Sequence, residues 1–276
     1  MKVADTNQHY DLDPRVFELY LDPTRKYSSG LYRSAGDTLE AAQQHKLHYV
    51  ADRLGLRPGQ SLLDIGSGWG ALILFMAANY GVRTQGISPA PHQREHIERR
   101  ATELGLTDRV SVHTGHFEEY EPQPRGVDAI TMLGSIVHMP NLDAVFAKCW
   151  RALRPGGMLY VSESCYRNAA RRAEFAERAN SVFVRDSIFG WGDMRPLSEL
   201  VRGAEDAGFA ITAVDDLTPH YHRTIEDWLA NVARNAAELD ALEDGLAAKL
   251  TRYLETANAG WGFTTKHYAL VCRRGR

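Results

Sequence analysis

Residues 62–70 combine an apolar run, an acidic residue and three glycines spaced by one residue; they read Leu-Leu-Asp-Ile-Gly-Ser-Gly-Trp-Gly. Gly66 and Gly68 allow the backbone to turn tightly and to approach a ligand closely. The helical pattern that opens at Gly70 offers its first N–H groups to a carboxylate or to hydroxyl groups. A strand, a ligand-binding loop and a helix in this order indicate an α/β fold that binds a nucleotide-like cofactor.

The spacing of the glycines narrows the class of cofactor. It lacks the third glycine position of the dinucleotide fingerprint, and no Lys-Ser or Lys-Thr pair follows, as it would in a P-loop. Asp64 ends the predicted strand, where a carboxylate can attract an ammonium group directly or through water. A cofactor that carries an amino acid portion fits these features, so the sequence predicts S-adenosylmethionine.

Composition excludes several classes of function. The 276 residues, 44% of them hydrophobic, can bury the core of one large domain or of one domain with a lid. A net charge of −3 gives no basic footprint for nucleic acid. The three cysteines have no metal-ligand spacing, and neither a membrane span nor a signal-peptide core is present. We therefore expect a cytoplasmic protein with no metal, no nucleic-acid partner and no integral membrane association.

Short apolar runs alternate with amphipathic segments between residues 60 and 163. The predicted strands are Ser61–Ile65, Val82–Ile87, Val110–Thr114, Val127–Leu133 and Met158–Ser162, with helices at 70–80, 91–104 and 140–153. Strands separated by helices of this length imply right-handed crossovers and a parallel sheet covered on both faces. Residues 154–157, Arg-Pro-Gly-Gly, are predicted to form the turn before the fifth strand.

The flanking segments are predicted to surround this core. Residues 9–33 are aromatic-rich and irregular, 36–55 are helical, and 165–195 form a polar and aromatic insertion. A helix at 196–207, a strand at 209–216, a long helical stretch at 222–257 and a strand at 264–273 follow. Segments that follow strands four to six lie where open α/β sheets bind ligands, so we expect them to form a substrate lid. Aromatic residues in this lid predict an apolar small-molecule substrate. They are Phe183, Phe189, Trp191, Tyr221, Trp228 and Trp261.

A series of motifs in a fixed order carries a resemblance to a known family. The chain resembles the cyclopropane-fatty-acid synthase family of S-adenosylmethionine-dependent methyltransferases, which includes mycolic-acid-modifying enzymes and small-molecule C- and N-methyltransferases. The resemblance covers almost the whole chain. Its motifs are His9-Tyr10-Asp11-Leu12, Leu21-Asp22-Pro23, Tyr27 to Tyr32, Thr38-Leu39-Glu40, the Asp64 loop, Gly86-Ile87-Ser88 with Gln93, Ile188-Phe189-Gly190 through Arg195-Pro196, and Pro219-His220-Tyr221 with Thr224 and Trp228.

The resemblance implies a fold and a division of the chain. The fold is α/β, a class I methyltransferase Rossmann-like fold with a seven-stranded, mostly parallel sheet, a helical N-terminal cover and an inserted lid. All 276 residues form one domain: a cofactor cover at 1–57, a cofactor-binding core at 58–163, lid segments with a helix and the sixth strand at 164–258, and a final strand at 259–276.

The resemblance also implies cofactor-binding roles. Tyr27 and Ser28 would cover the methionine portion, and the loop with Asp64, Gly66 and Gly68 would lie beneath it. Hydroxyl and amide groups suit the ribose hydroxyls. The remaining cofactor residues are Ser88 and Gln93 at the ribose, His116 and Phe117 where the family has a Trp-Glu pair at the adenine, and Leu133 at the end of strand four.

The chain departs from the family at the anion site. Cyclopropane synthases hold a bicarbonate base among Cys, Glu, His and Tyr; here Ser29, Val137 and Ser162 stand in place of the first three, and Tyr221 remains. We therefore predict that the chain is not a working cyclopropane synthase. Because the Glu is also used by family members that methylate amines, a carbon or oxygen acceptor in natural-product metabolism is favoured.

A base is needed only where the acceptor loses a proton. His138 is the first candidate because imidazole titrates near neutrality, while Tyr221 would orient an oxygen or stabilise a cation; Glu163 is the third catalytic candidate. Other functions stay open: a cofactor-retaining cyclase without net methyl transfer, a cyclopropane or lipid-modifying synthase, or a binding protein without catalysis. Self-association through 165–195 or 222–257 also stays open.

Overall fold

A computed structural model describes residues 13–187 and 192–275. The chain divides into two compact units. We call the first the helical unit; it comprises residues up to 45, 164–197 and 216–267. We call the second the sheet unit; it comprises residues 46–163, 198–215 and 268–276.

The strands are β1 (Ser61–Ile65), β2 (Arg83–Ser88), β3 (Val110–Thr114), β4 (Val127–Leu133), β5 (Leu153–Tyr166), β6 (Phe209–Asp216) and β7 (Thr265–Arg274). The helices are α1 (Pro14–Tyr20), α2 (Leu39–Leu54), α3 (Ala71–Tyr80), α4 (Pro91–Glu103), α5 (Leu142–Ala152), α6 (Ala169–Phe175), α7 (Ala179–Ser187), α8 (Leu197–Asp206), α9 (Thr218–Arg234), α10 (Ala236–Leu242) and α11 (Leu246–Asn258).

The strands form one seven-stranded sheet in the order β3-β2-β1-β4-β5-β7-β6. β1 pairs in parallel with β2 and β4, β2 with β3, and β4 with β5. The order changes direction at β1, so the crevice between β1 and β4 is the topological switch point, where open α/β sheets bind their ligands. The carboxyl ends of the parallel strands therefore define the site.

Helices of different character bury apolar side chains in the sheet unit. Nearly every residue of α3 is apolar, and Leu72, Ile73 and Met76 are fully buried. α5 instead buries one stripe, which includes Phe146. A Cβ on Gly203 of α8 would lie 2.8 Å from the Phe146 ring, so this glycine allows the two helices to pack closely. Each fully buried large apolar side chain contributes about 1.5–3 kcal/mol to folding.

Most predicted strands form where the sequence places them, but β5 is longer than expected. It starts at Leu153, and the predicted Arg-Pro-Gly-Gly turn is a bulge inside the strand. Leu153 pairs with Val127 and Met158 with Ala129, so residues 154–157 lie opposite a single residue of β4. Asp128 holds the bulge, since its carboxylate accepts from Arg154 Nη1 at 2.8 Å.

The helical stretch predicted at 222–257 consists of three helices. It begins earlier, at Thr218, whose N–H donates to the Asp216 carboxylate at 3.0 Å. The first break is at Asn235, whose backbone is not helical. The second follows α10, where Asp240 accepts from the Ala247 N–H at 2.9 Å and so caps α11. The segment predicted to be irregular also contains α1, which starts at Pro14 behind an Asp13 cap.

Candidate active site

The glycine loop after β1 has the geometry expected of a ligand-binding turn. Gly66 and Gly68 adopt φ values of +81° and +53°, which favour glycine. The N–H groups of Gly66 and Ser67 both donate to the Ile87 carbonyl, at 3.0 and 2.9 Å. A Cβ on Gly66 would lie 2.4 Å from the Ser135 Cβ. The loop is therefore fixed to β2, with no room for a side chain at Gly66.

The helix that follows the loop begins at Ala71, with Gly70 as its N-cap residue. Gly70 has no side chain with which to cap the helix. The first-turn N–H groups carry the positive end of the helix dipole and can donate to a ligand. Their binding to a cofactor carboxylate stays a prediction.

Asp64 makes a hydrogen bond within the sheet. Its side chain is fully buried and accepts a 2.7 Å hydrogen bond from Thr131 Oγ1. In the sheet it lies between Gly86 of β2 and Thr131 of β4. This contact ties β1 to β4 directly beneath the loop, and contact with a cofactor ammonium group stays a prediction.

The two residues predicted at the ribose lie together. Ser88 Oγ donates to Gln93 Oε1 at 2.5 Å, and both side chains are buried. Ser88 is the last residue of β2, and Gln93 lies in the first turn of α4. The carbonyl of Ser88 also accepts the Gly115 N–H at 2.9 Å. This bond fixes the start of the predicted adenine loop beside the predicted ribose pair.

The predicted adenine residues differ in exposure. Phe117 is buried, whereas His116 is half-buried. The His116 carbonyl closes a turn by accepting the N–H groups of Glu119 and Tyr120, each at 3.1 Å. Leu133 is buried at the end of β4. These arrangements put the predicted cofactor residues of the sheet unit at the carboxyl ends of β1 to β4.

The catalytic candidates of the sheet unit lie on adjacent strand ends. His138 ends a 3₁₀ turn at Ile136–His138, just after β4, and is half-buried. Glu163 is buried near the end of β5, and its carboxylate accepts the Val137 N–H at 3.3 Å. Val137 brings no carboxylate of its own, but Glu163 places one against its backbone. The sequence did not predict this contact.

The helical unit ties residues 19–37 to one face of α9. Gly30 N–H donates to Thr224 Oγ1 at 2.9 Å, and Tyr32 Oη donates to the Asp227 carboxylate at 2.6 Å. Asn231 donates to the Tyr20 carbonyl at 3.0 Å. The other donors are Tyr32 N–H to His220 Nδ1, Arg223 to the carbonyls of Ser34, Ala35 and Asp37, and Asn235 to the carbonyl of Leu19. We call this set the α9 seam.

The predicted cover residues belong to this unit. Ser28 is buried, and its carbonyl accepts Gln43 Nε2 at 2.8 Å. The Tyr27 ring lies 5.2 Å from the Trp228 ring and 6.1 Å from the Tyr20 ring. Burial raises the pKa of the Tyr27 hydroxyl, which therefore stays neutral.

Tyr221 lies among aromatic rings. It stacks on Trp261 with 4.7 Å between centroids, and it meets His267 edge to face at 4.8 Å and Trp228 at 6.1 Å. The indole N–H groups of Trp228 and Trp261 are buried and have no acceptor among the residues that the structure describes. A buried donor without an acceptor is costly, so these indoles suit a ligand that carries an oxygen.

His267 contacts the catalytic candidate Tyr221 and was not predicted from the sequence. It is buried, and its Nδ1 lies 3.4 Å from Ser164 Oγ. Its only sequence signal is a histidine at the start of an apolar strand. Among the other predicted lid aromatics, Phe183 contacts the Arg252 guanidinium at 4.6 Å. Phe189 and Trp191 lie outside the described residues.

A pocket of about 420 Å³ lies elsewhere in the sheet unit. It is lined by residues such as Ser61, Arg83, Arg109 and Val127, at the amino ends of β1 to β4. Parallel sheets bind ligands at the opposite edge, so this pocket is not the candidate site. Within 13–187 and 192–275, no cluster of three His, Cys, Asp or Glu side chains has metal-binding geometry, and no helix is both long and apolar enough to span a bilayer.

Comparison with known proteins identifies the family. Residues 1–270 match the family described as mycolic acid cyclopropane synthetase. The chain belongs to this family. It is 30% identical over 250 residues to cyclopropane mycolic acid synthase 1 of Mycobacterium tuberculosis, covering 87% of this chain and 85% of that protein.

Two solved structures of the family are similar to this chain over almost its whole length. The cyclopropane synthase MmaA2 from Mycobacterium tuberculosis superposes with a TM-score of 0.91 and 25% identity, over 99% of this chain and 100% of MmaA2. The mycolic acid cyclopropane synthase CmaA1, complexed with SAH and CTAB, superposes with a TM-score of 0.90 and 26% identity, over 99% of this chain and 98% of CmaA1.

These findings confirm several predictions. The fold is the α/β, Rossmann-like fold of class I methyltransferases, and the chain is an S-adenosylmethionine-dependent methyltransferase. S-Adenosylmethionine is its cofactor. The residues present fit this cofactor, because the loop leaves open space at Gly68, where an added Cβ would meet no atom within 4 Å, and the buried Ser88–Gln93 pair offers polar groups at the strand ends.

Proposed function

We propose that this methyltransferase acts on a carbon or oxygen atom of an apolar small molecule in natural-product metabolism. The observation that carries the proposal is the chemistry at the family's anion-site positions. Ser29 is buried, and its hydroxyl donates to the Gly30 carbonyl at 2.8 Å. Val137 contributes a backbone N–H, and Ser162 is a buried hydroxyl residue on β5. None of the three supplies the thiol, carboxylate or imidazole of a cyclopropane synthase.

The bound cofactor supplies an electrophilic methyl group. The protein's task is to hold the acceptor in line with that group, because correct positioning alone accounts for about 7–11 kcal/mol of the barrier in well-oriented reactions. In our proposal Tyr27, Ser28, Gly66 and Gly68 bind the methionine portion. Ser88 and Gln93 bind the ribose hydroxyls.

A base acts where the acceptor must lose a proton. We assign this role to His138, because an imidazole side chain is suited to accept a proton as a general base. Glu163 is the second candidate, because its buried carboxylate bonds to Val137, next to His138 in sequence. A carboxylate there can accept a proton itself or stabilise a protonated imidazole.

The acceptor side is aromatic. Tyr221 and Trp261 stack on each other and are half-buried, so they offer apolar surface, and the Trp261 indole adds an N–H donor that has no acceptor among the described residues. Such surfaces suit an uncharged aromatic, terpenoid or polyketide acceptor that carries an oxygen. The presence of CTAB, a long-chain alkylammonium, in the CmaA1 structure supports an apolar acceptor. A cytoplasmic location and self-association stay predictions.

The test is mass spectrometry of products formed with methyl-labelled S-adenosylmethionine and phenolic, polyketide, terpenoid and unsaturated lipid acceptors. The proposal expects one added methyl group and one S-adenosylhomocysteine per product. A cyclopropane product would overturn it. Product formed without S-adenosylhomocysteine would instead identify a cyclase that retains the cofactor.

A further inference from the structure

Lys148 on α5 makes an unusual set of contacts. Its Nζ donates to three backbone carbonyls, those of Phe117 at 3.2 Å, Glu118 at 2.8 Å and Tyr120 at 2.9 Å. An ammonium group has three donors, so the number of carbonyls matches the number of its hydrogens. The side chain is only 12% exposed. Lys148 is therefore bonded to one loop, rather than solvated as most lysines are.

The carbonyls converge because residues 116–120 form a turn. The Glu119 and Tyr120 N–H groups donate to the His116 carbonyl, which bends the chain around one point. Lys148 Nζ also lies 5.3 Å from the centre of the Phe117 ring, within cation–π distance. The carboxylate of Glu121 lies 3.0 Å away but is 76% exposed. An exposed ion pair contributes little, so the carbonyl bonds hold the lysine.

The same loop is anchored at both ends. At its start, the Gly115 N–H donates to the Ser88 carbonyl at 2.9 Å. At its end, Tyr120 Oη donates to Gln85 Oε1 at 2.9 Å. Both of these partners lie on β2, whereas Lys148 reaches from α5. The lysine holds the middle of the loop, where it bonds the carbonyls of Phe117 and Glu118, next to His116.

We propose that Lys148 is a positioning residue for cofactor binding. It holds the backbone of residues 116–118 in the conformation that receives the adenine base. Because His116 and Phe117 replace the Trp-Glu pair of the family, recognition of the base depends more heavily on the backbone, and the backbone needs a fixed shape. The inference rests on the proposed adenine role of this loop; Lys148 itself does not touch the cofactor.

The test compares two ligands that differ only in the base. S-Adenosylhomocysteine and S-inosylhomocysteine are titrated calorimetrically into the full chain and into Lys148→Met. We expect the variant to bind S-adenosylhomocysteine about tenfold more weakly, as for loss of bonds to a charged group. Because a mobile loop cannot discriminate between the bases, we also expect the affinity ratio of the two ligands to fall towards one. The turnover number at saturating cofactor should stay near that of the wild type.

Two control variants separate the loop contact from loss of charge. Lys249→Met removes an exposed lysine that lies 3.5 Å from Glu243. Glu121→Gln removes the carboxylate partner of Lys148 and leaves the carbonyl bonds. Both should keep the wild-type affinities within about twofold, as expected for exposed ion pairs.

The outcomes are distinguishable. An unchanged affinity ratio in Lys148→Met would overturn the inference, even if overall affinity fell. If that variant does not fold, Lys148→Arg serves instead, because it keeps the charge but not the geometry. A wild-type affinity ratio of the two ligands in Lys148→Arg would overturn the inference. A ratio reduced about threefold would support it. If the wild type does not bind S-adenosylhomocysteine, the proposed function fails rather than the role of Lys148.

Discussion

Gly66 offers a sharp test of how the cofactor loop is built. The variant Gly66→Ala adds a single methyl group at a φ of +81°, and that methyl carbon would lie 2.4 Å from Ser135 Cβ and 2.9 Å from its Oγ. Unstrained carbon contacts are about 3.5–4.0 Å, so either the loop or Ser135 must move by about 1 Å. Ser135 resists, because its Oγ donates to the Ile65 carbonyl at 2.5 Å.

The expected cost follows from these two features. The left-handed backbone costs an L-residue about 1–2 kcal/mol, and overpacking against Ser135 adds about 1–3 kcal/mol. Gly68→Ala is the matched control, since Gly68 has φ +53° but nothing within 4 Å of an added Cβ. Its free energy of unfolding should therefore fall only by the backbone contribution of about 1–2 kcal/mol.

The assay is urea unfolding followed by circular dichroism, with S-adenosylhomocysteine affinity measured by calorimetry. Gly66→Ala should lose about 2 kcal/mol more unfolding free energy than Gly68→Ala, the middle of the overpacking range. The double variant Gly66→Ala/Ser135→Gly removes the clash and should recover at least about 1 kcal/mol relative to the sum of the single variants. Equal losses in the two alanine variants, or strict additivity in the double variant, would refute the assigned role of Ser135.

Three further predictions concern individual side chains. His138→Ala should lower turnover about 100-fold and leave cofactor affinity unchanged; unchanged turnover would remove His138 as the base. Tyr221→Phe keeps the ring stack and should lower kcat/KM about tenfold, as for a lost hydrogen bond, whereas an unaltered value would assign Tyr221 to packing alone. Burial lowers the pKa of His220, whose Nδ1 accepts the Tyr32 N–H at 3.2 Å. Because the unfolded state then binds more protons, the free energy of unfolding should fall as pH drops below about 6.5. His220→Gln should flatten this pH dependence in urea titrations. Identical pH profiles for the wild type and the variant would contradict the argument.

The sequence predicts best what depends on neighbouring residues. Ser61–Ile65, Val110–Thr114 and Val127–Leu133 have the predicted bounds, because each is a short apolar or alternating run between turn residues. The helical stretch predicted at 222–257 is helical, but the sequence pattern did not reveal the break at Asn235. That break accompanies a side-chain bond to the Leu19 carbonyl, which no local pattern reveals.

The candidate site also contains residues that could be predicted from the sequence and residues that could not. The family resemblance predicted Ser88 and Gln93 to act at the same group, and the two are hydrogen-bonded because one ends β2 and the other lies in the first turn of α4. Lys148 could not be assigned, because its partners are carbonyl groups about 30 positions earlier in the chain. The carboxylate that Glu163 brings to Val137 was also missed, since the pairing depends on how two neighbouring strands end.

The α9 seam has a consequence for the order in which the protein folds. Its bonds join residues separated by up to 216 positions, so the segment at 19–37 leaves the ribosome long before its partners exist. Contacts between such distant residues form late, because closing the intervening chain costs entropy. Residues 19–37, with the Tyr27 and Ser28 cover, can therefore reach their final conformation only after α9 has been synthesised, and a chain that stops before Thr218 lacks every α9 acceptor and donor on which this segment depends.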